Sequence, residues 1–338
     1  MRGLTYTIAE TPDAAVAQFA DAGGDARYIA GGTNIYDLMK LRIERPVRLI
    51  DVSRIEGLDT IETDGDVLRF GGRALMADVA RTPIVRDEYP VLAESLLKAA
   101  SQQLRNMATV GGNLLQRTRC MYFRNGAGSL STVGVYPCNK REPGSGCAAI
   151  GGLDRTQAVL GTSEACTAVA PGDWPVALTA LDATIEIFGP EGTRTVPIAD
   201  FYRLPGDTPH REFNIDPGEL VTAITVRKTP AGRTSTYHKI RDRESYAFAL
   251  ASAAVAIDMD GDSVRTAHIA LGGVATTPWR ARAAERVVTG APLTPDQALR
   301  AGQAAFAEAR AGQHNAFKIE LGARVIADAL LIAAQRRA

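Results

Sequence analysis

The chain has 338 residues, which is long enough for two or three domains with sizeable hydrophobic cores. Its 38 basic side chains equal its 38 acidic ones, so it lacks the basic excess typical of nucleic-acid-binding proteins. The N-terminal residues lack the pattern of a signal peptide, and no apolar run is long enough to span a bilayer. We therefore predict a globular chain that binds no nucleic acid, inserts in no membrane and has no export signal of its own.

Strand and helix signals alternate over the first fifty residues. A helix begins at Thr11-Pro12-Asp13, with Thr as the N-cap and Pro in the first turn, and Gly23-Gly24 ends it. Short strands are predicted over residues 27–30 and 47–52, with a second helix over 35–41 between them. This order predicts an α/β unit with helices packed on a sheet.

A domain boundary is predicted near Thr229-Pro230-Ala231-Gly232, which separates residues 1–228 from residues 229–338. Beyond it, three strand signals precede three helix signals, and strands followed by helices are typical of an α+β domain. The strands are predicted over 234–240, 248–258 and 264–272, and the helices over 279–289, 296–311 and 316–335. We therefore expect a C-terminal domain made of a three-stranded antiparallel sheet and three helices.

Two glycine pairs occupy similar settings, in Ala30-Gly31-Gly32-Thr33-Asn34-Ile35 and in Thr109-Val110-Gly111-Gly112-Asn113. Glycine lets backbone N–H groups approach a ligand closely, so two such loops could hold a diphosphate between them. Ordinary tight turns are the alternative interpretation, because Gly-Gly also occurs elsewhere in the chain. The sequence has no G-x-G-x-x-G motif and no Gly-Lys dipeptide, which argues against a classical NAD or ATP site.

All four cysteines, Cys120, Cys138, Cys147 and Cys166, lie within 47 consecutive residues. The segment from about 116 to 170 has no periodicity and is rich in Gly, Pro and Asn, and such a long irregular stretch is usually functional or disordered. Cysteines prefer burial, so four in a polar segment favour a bound metal or cluster. Thiolates need positive charge nearby, which four basic residues of the segment could supply, namely Arg117, Arg119, Lys140 and Arg141. Disulfides and four buried structural cysteines remain alternatives.

Taken together, these motifs resemble the FAD-binding medium subunits of the xanthine dehydrogenase and carbon monoxide dehydrogenase family. The loop from Ala30 to Asn34, the T-x-G-G-N loop ending at Asn113 and the motif Pro171-Gly172-Asp173 match the family in order. Tyr237-His238-Lys239 is similar to the opening of its C-terminal domain. The resemblance implies a two-part FAD-binding domain of the PCMH type over residues 1–228, followed by a CO-dehydrogenase-flavoprotein-like domain. It also implies that Asp173 and Lys239 contribute to flavin binding.

The cysteine segment separates two motifs that are almost adjacent in most of this family. It resembles the insertion of a subgroup that carries an additional [4Fe–4S] cluster, found in periplasmic aldehyde oxidoreductase and 4-hydroxybenzoyl-CoA reductase. The runs Arg119-Cys120 and Pro137-Cys138-Asn139-Lys140-Arg141 are most similar to the aldehyde oxidoreductase. The resemblance therefore implies that all four cysteines ligate a [4Fe–4S] cluster.

The family resemblance also implies an assembly. A small subunit would hold two [2Fe–2S] clusters, a large subunit would hold the molybdenum cofactor, and this chain would pass electrons through FAD to an external acceptor. Export to the periplasm together with a partner is expected if the chain behaves like the subgroup, and a cytoplasmic location otherwise. Two alternatives remain, namely a self-sufficient flavin oxidase or dehydrogenase and a zinc-binding interaction subunit. We assign no catalytic acid or base, because none accompanies the flavin motifs.

Overall fold

A small parallel sheet forms the N-terminal part of the chain. The structure is a computed structural model and describes residues 3–125 and 135–336. The strands run in the order β1-β3-β2, and Phe19 and Ile50 are buried between this sheet and its first helix. Thr11 caps that helix by accepting a hydrogen bond from the Ala14 amide at 3.1 Å, as predicted. The elements are β1 (Thr5–Ile8), α1 (Pro12–Asp21), β2 (Ala26–Ile29), α2 (Ile35–Lys40) and β3 (Arg48–Asp51).

A five-stranded antiparallel sheet forms the middle of the protein, in the order β4-β5-β8-β6-β7. Leu68, Phe70 and Ile224 point from it into the largest hydrophobic core, which helices cover. Its elements are β4 (Ile61–Glu62), β5 (Val67–Gly71), α3 (Met76–Arg81), α4 (Pro83–Glu88), α5 (Pro90–Leu97), α6 (Gln102–Arg105), α7 (Val110–Leu114), α8 (Met121–Arg124), α9 (Trp174–Ala180), β6 (Thr184–Gly189), β7 (Gly192–Pro197), α10 (Ile198–Phe201) and β8 (Leu220–Arg227).

The cysteine segment connects α7 to α9 and has little regular structure. Residues 126–134 lie outside the described part of the chain, and in the rest of the segment α8 is accompanied only by isolated bridges. One of these bridges pairs Cys138 with Cys147. The absence of periodicity between residues 116 and 170 thus corresponds to irregular backbone wherever the segment is described.

The C-terminal sheet has four antiparallel strands in the order β12-β11-β10-β9, one more than predicted. The extra strand β12 contains only Trp279 and Arg280, which the sequence assigned to a helix. These two residues pair with Leu271 and Ala270 of the neighbouring strand, but a strand of two residues is too short to show a periodicity. After a 3-10 turn at Pro230–Gly232, the elements are β9 (Ser235–Ile240), β10 (Ala251–Asp260), β11 (Ser263–Gly272), β12 (Trp279–Arg280), α11 (Arg282–Val288), α12 (Pro295–Ala305) and α13 (Phe317–Gln335).

Helix α9 joins the middle and C-terminal parts, because all seven of its residues are buried. The Trp174 ring lies edge-on to Phe70 of β5, with ring centroids 5.6 Å apart. Tyr237, Ala254 and Ala270 of the C-terminal sheet belong to the same hydrophobic core. The N-cap of this helix is Asp173, so the helix also positions a predicted site residue at the junction. Within the described ranges, no helix combines the length and apolarity needed to cross a bilayer.

Candidate cofactor sites

The two predicted glycine loops lie side by side and line one cavity. From the first loop these are Ala30, Gly31, Gly32, Thr33, Asn34 and Ile35, and from the second Thr109, Gly112 and Asn113. The contact between the loops is close: a Cβ on Gly31 would lie 1.7 Å from the Met107 carbonyl oxygen. The fold therefore brings together two motifs that are some eighty residues apart in the sequence.

The glycines of the two loops have different physical roles. Gly32 has φ +70°, in the left-handed region that favours glycine, and it faces the cavity. Gly111 is buried instead, and a Cβ there would lie 2.6 Å from the Gly72 carbonyl oxygen. Gly111 does not line the cavity, so the structure accounts for it through backbone packing and not through ligand approach.

Three buried polar atoms beside this cavity have no hydrogen-bond partner within the described residues. They are Oδ1 of Asn34, Oδ1 of Asn113 and Nε of Arg119, and all three residues line the cavity. Buried polar groups in native proteins are nearly always paired, so these atoms fit a polar ligand that supplies both donors and acceptors. A flavin nucleotide has both, and the site therefore fits the predicted FAD.

A second cavity lies at the junction with the C-terminal sheet. Arg119 lines both cavities, and its guanidinium lies over the Phe248 ring at 4.7 Å from the centroid. Asp173 and Lys318 line the second cavity as well. Lys318 is buried and donates to the Gly273 carbonyl oxygen at 2.7 Å, and burial lowers its pKa to about 8. Lys318 carries no signal in the sequence, because a single lysine in a helix is usually exposed to solvent.

Asp173 and Lys239 form a buried ion pair beside the second cavity. Lys239 Nζ lies 2.8 Å from Asp173 Oδ2 and donates to the Lys98 carbonyl oxygen at 3.0 Å. The Tyr237 hydroxyl donates to Asp173 Oδ1 at 2.6 Å. Burial, followed by the Asp173 charge, raises the pKa of Tyr237 well above its usual range. Two residues that the sequence placed in separate motifs therefore act as one group, with Tyr237 as an unpredicted third member.

Replacement of Lys239 by methionine is expected to lower the free energy of unfolding by about 3–5 kcal/mol, because it leaves the Asp173 carboxylate buried without a counter-charge. Urea unfolding of the purified chain measures this change. Arg324→Met is the matched control, since it removes an exposed ion pair with Glu320 and is expected to cost less than about 1 kcal/mol. Equal stability of the two variants would contradict the role given to the buried pair.

The four cysteines line a single smaller cavity. All four are free, and only Cys147 is not fully buried. Burial raises the pKa of the Cys120 thiol, while hydrogen bonds from the Phe123 and Tyr122 amides oppose that rise. Burial also raises the pKa of Cys166, to about 11, and the Lys140 charge opposes it. Buried thiols of this kind become thiolates only when a bound centre or a cation compensates their charge.

The cysteine cavity does not have the geometry of a single-ion site. In residues 3–125 and 135–336, no three or more His, Cys, Asp or Glu side chains are arranged to hold one metal ion. A tetrahedral zinc site would place its sulfurs within about 4 Å of one another. Four cysteines share the walls of one cavity, and four thiolates are the ligand set that an iron–sulfur cluster takes.

Of the four cations predicted near the thiols, only Lys140 lines the cysteine cavity. Arg117 pairs instead with Glu44 at 2.8 Å and with Glu212 at 2.6 Å. Arg119 pairs with Asp37, and the Arg141 guanidinium donates to backbone carbonyl groups of the cysteine segment. Lys140 is therefore the cation best placed to supply charge to the thiols, while Arg117, Arg119 and Arg141 also hold the surrounding backbone and carboxylates in place.

Sequence profiles of two families match the chain. The family described as the FAD binding domain in molybdopterin dehydrogenase matches residues 2–228, and the CO dehydrogenase flavoprotein C-terminal domain matches residues 235–333. The chain therefore belongs to the FAD-binding medium subunits of the molybdenum hydroxylases, and it is the FAD-binding subunit of an oxidoreductase. This membership confirms the predicted family, the α+β fold and the FAD cofactor.

Individual relatives agree with this assignment. The chain is 47% identical over 333 residues to the aldehyde oxidoreductase FAD-binding subunit PaoB of Escherichia coli, a match that covers 98% of each chain. It is 30% identical to the carbon monoxide dehydrogenase medium chain of Afipia carboxidovorans, over 88% of this chain and 85% of that one. Among solved structures, carbon monoxide dehydrogenase from Hydrogenophaga pseudoflava superposes with a TM-score of 0.77 at 26% identity, covering 100% of this chain and 99% of the other.

Proposed function

We propose that this chain binds FAD and a [4Fe–4S] cluster, and that it is the electron-transfer subunit of an aldehyde oxidoreductase-like complex. Its partners would be a small [2Fe–2S] subunit and a large molybdenum-cofactor subunit. When bound, the two groups would supply the redox chemistry that carries electrons from the iron–sulfur subunit to an external acceptor. Periplasmic location by co-export with a partner belongs to the same proposal.

The observation that carries this proposal is the position of Cys120. Its side chain lines both the cysteine cavity and the second cavity, which also contains Asp173. A cluster held by the cysteines and a flavin held beside Asp173 would therefore share one wall of protein. Short separation between redox groups is what an electron-transfer subunit requires, and no such arrangement is needed for a purely structural cluster.

Different residues of the chain would bind the FAD and the cluster. The glycine loops would present backbone N–H groups to the diphosphate, with Thr33 and Thr109 beside them. Asn34 and Asn113 would accept hydrogen bonds through the oxygens that now lack partners. The Asp173–Lys239 pair would fix the start of α9 against β9, which keeps the second cavity in shape. Cys120, Cys138, Cys147 and Cys166 would be the cluster ligands.

The absorption spectrum and metal content of the purified full chain test the proposal. Flavin bands with a broad iron–sulfur shoulder, together with iron and acid-labile sulfide, are expected after anaerobic purification. Flavin without iron would favour a self-sufficient flavoprotein. Zinc without sulfide would favour a zinc-binding interaction subunit. Either of these two results would overturn the cluster assignment.

The chain is expected to co-purify with two other polypeptides when it is expressed from its native operon. The cysteine segment leaves apolar side chains exposed, and a partner that approaches the cluster would cover them. Ile150 is 46% exposed and Leu153 is 55% exposed. Replacing both by Asp should sharply reduce recovery of the partners in a pull-down measured by mass spectrometry.

Leu299→Asp provides the control for this experiment. Leu299 is 39% exposed but lies on α12, outside the cysteine segment. Its replacement should leave recovery of the partners unchanged. A stable chain that oxidises aldehydes without any partner would contradict the proposed assembly.

A further inference from the structure

Gln157 places a side-chain amide against one of the four cysteines. Its Nε2 lies 3.5 Å from Cys120 Sγ, within hydrogen-bonding distance for sulfur. Gln157 is only 1% exposed and lines the cysteine cavity. A buried polar side chain aimed at a sulfur needs an explanation, because a neutral thiol is a weak acceptor whereas a thiolate is a strong one.

The orientation of this amide is fixed by a second contact. The Thr167 hydroxyl donates to Gln157 Oε1 at 3.5 Å, which leaves the NH₂ end to face Cys120. The Gln157 backbone is held separately, since its N–H donates to the Asp154 carbonyl oxygen at 2.8 Å. The Asn315 side chain donates to the Gln157 carbonyl oxygen at 3.4 Å. The side chain can therefore be altered without releasing the backbone.

We propose that the Gln157 side-chain amide raises the reduction potential of the cluster bound at Cys120. This inference rests on the proposed function. An N–H donor stabilises negative charge on a ligand sulfur, and the reduced form of a cluster has more of that charge than the oxidised form. The effect is strengthened by burial, because no water competes for the donor. Gln157 is thus a positioning and tuning residue and not a ligand.

Other groups face the same sulfurs and stay constant in the test. The Tyr122 and Phe123 amides also hydrogen-bond Cys120, and the Lys140 charge acts on Cys166 in the same cavity. None of these groups depends on the Gln157 side chain for its interaction with the sulfurs. A change in potential after substitution of Gln157 therefore reports the loss of its own donor.

The test compares Gln157→Leu and Gln157→Glu with the wild-type full chain, purified anaerobically with any subunits that accompany it. Iron and sulfide per chain are measured first, and the midpoint potential is then titrated by electron paramagnetic resonance. We expect Gln157→Leu to lower the equilibrium constant for reduction of the cluster about three- to tenfold, since one hydrogen bond to a charged acceptor is lost. Tenfold corresponds to a shift of about −59 mV for a one-electron couple. Gln157→Glu should shift the potential further, because a carboxylate would face the sulfur.

A spectroscopic signature separates this role from simple packing. In the wild type, electron–nuclear double resonance should show one exchangeable proton coupling that is lost in Gln157→Leu, while the couplings of the Tyr122 and Phe123 amides remain. Thr167→Val keeps the amide but removes the contact that orients it, so a smaller negative shift is expected, and this variant decides the question if Gln157→Leu fails to bind iron. Wild-type potential in variants with full iron content would overturn the inference while leaving the proposed function intact. Absence of iron and sulfide from the wild type would instead overturn the proposed function itself.

Discussion

Replacement of any one of Cys120, Cys138, Cys147 and Cys166 by serine is expected to deprive the chain of about four iron atoms and an equal amount of sulfide. A serine hydroxyl is a far poorer ligand for iron than a thiolate at neutral pH. FAD should be largely retained, because the glycine loops line a different cavity from the one the cysteines share, and of the four cysteines only Cys120 also lines the second cavity beside Asp173. Iron, sulfide, zinc and flavin are measured per chain for the wild type and the four variants.

Ser145→Ala is the matched control for these variants. Ser145 lies between Cys138 and Cys147, and its hydroxyl accepts a hydrogen bond from the Cys138 amide at 2.9 Å. Its removal disturbs the same loop without removing a sulfur, so iron should be retained. If the cysteines were only structural, each serine variant would lose stability, by about 1–3 kcal/mol for an unsatisfied hydroxyl, and the wild type would contain no sulfide.

Replacement of Gly32 or Gly112 by valine is expected to reduce FAD content sharply while the fold persists. Both glycines line the cavity between the two loops, and side-chain methyl groups there would occupy the space that a diphosphate needs. Gly112 lies in the second loop, where a Cβ would also come within 2.9 Å of Thr109 Oγ1. Flavin released by denaturation is quantified by fluorescence, and circular dichroism checks the fold.

Gly57→Val separates ligand exclusion from backbone strain. Gly57 has φ +76°, close to the φ +70° of Gly32, and no atom lies within 4 Å of a Cβ built on it. Valine should therefore cause similar backbone strain at both positions, but FAD should be lost only in Gly32→Val. Stoichiometric FAD in both cavity variants would show that these loops are not the binding site.

Long periodic elements were predictable from the sequence, whereas short ones were not. The predicted helix over 316–335 corresponds to α13 at Phe317–Gln335, because five turns are long enough for a buried face to show. Strand β12 escaped prediction because two residues pair through the backbone and leave no pattern. The reason that position 31 requires glycine was not predictable either. The Met107 carbonyl oxygen lies against it, and that contact depends on the packing of two loops that are distant in the sequence.

The candidate site shows the same limit. Asp173 and Lys239 were recognised separately, but their separation of 66 positions in the sequence hid the ion pair that joins them. Gln157 carried no signal at all, because a single glutamine in an irregular segment resembles any solvated loop residue. The clustering of the cysteines in the sequence did indicate a shared site, and all four line one cavity.

The burial of α9 between two sheets limits how this protein can be divided. The two family profiles meet between residues 228 and 235, yet the hydrophobic core continues across that point through Tyr237, Ala254 and Ala270. A fragment ending at residue 228 would expose apolar surface that water ordinarily never reaches. Exchange of C-terminal regions between related proteins, in the laboratory or in evolution, would therefore require compensating changes on α9.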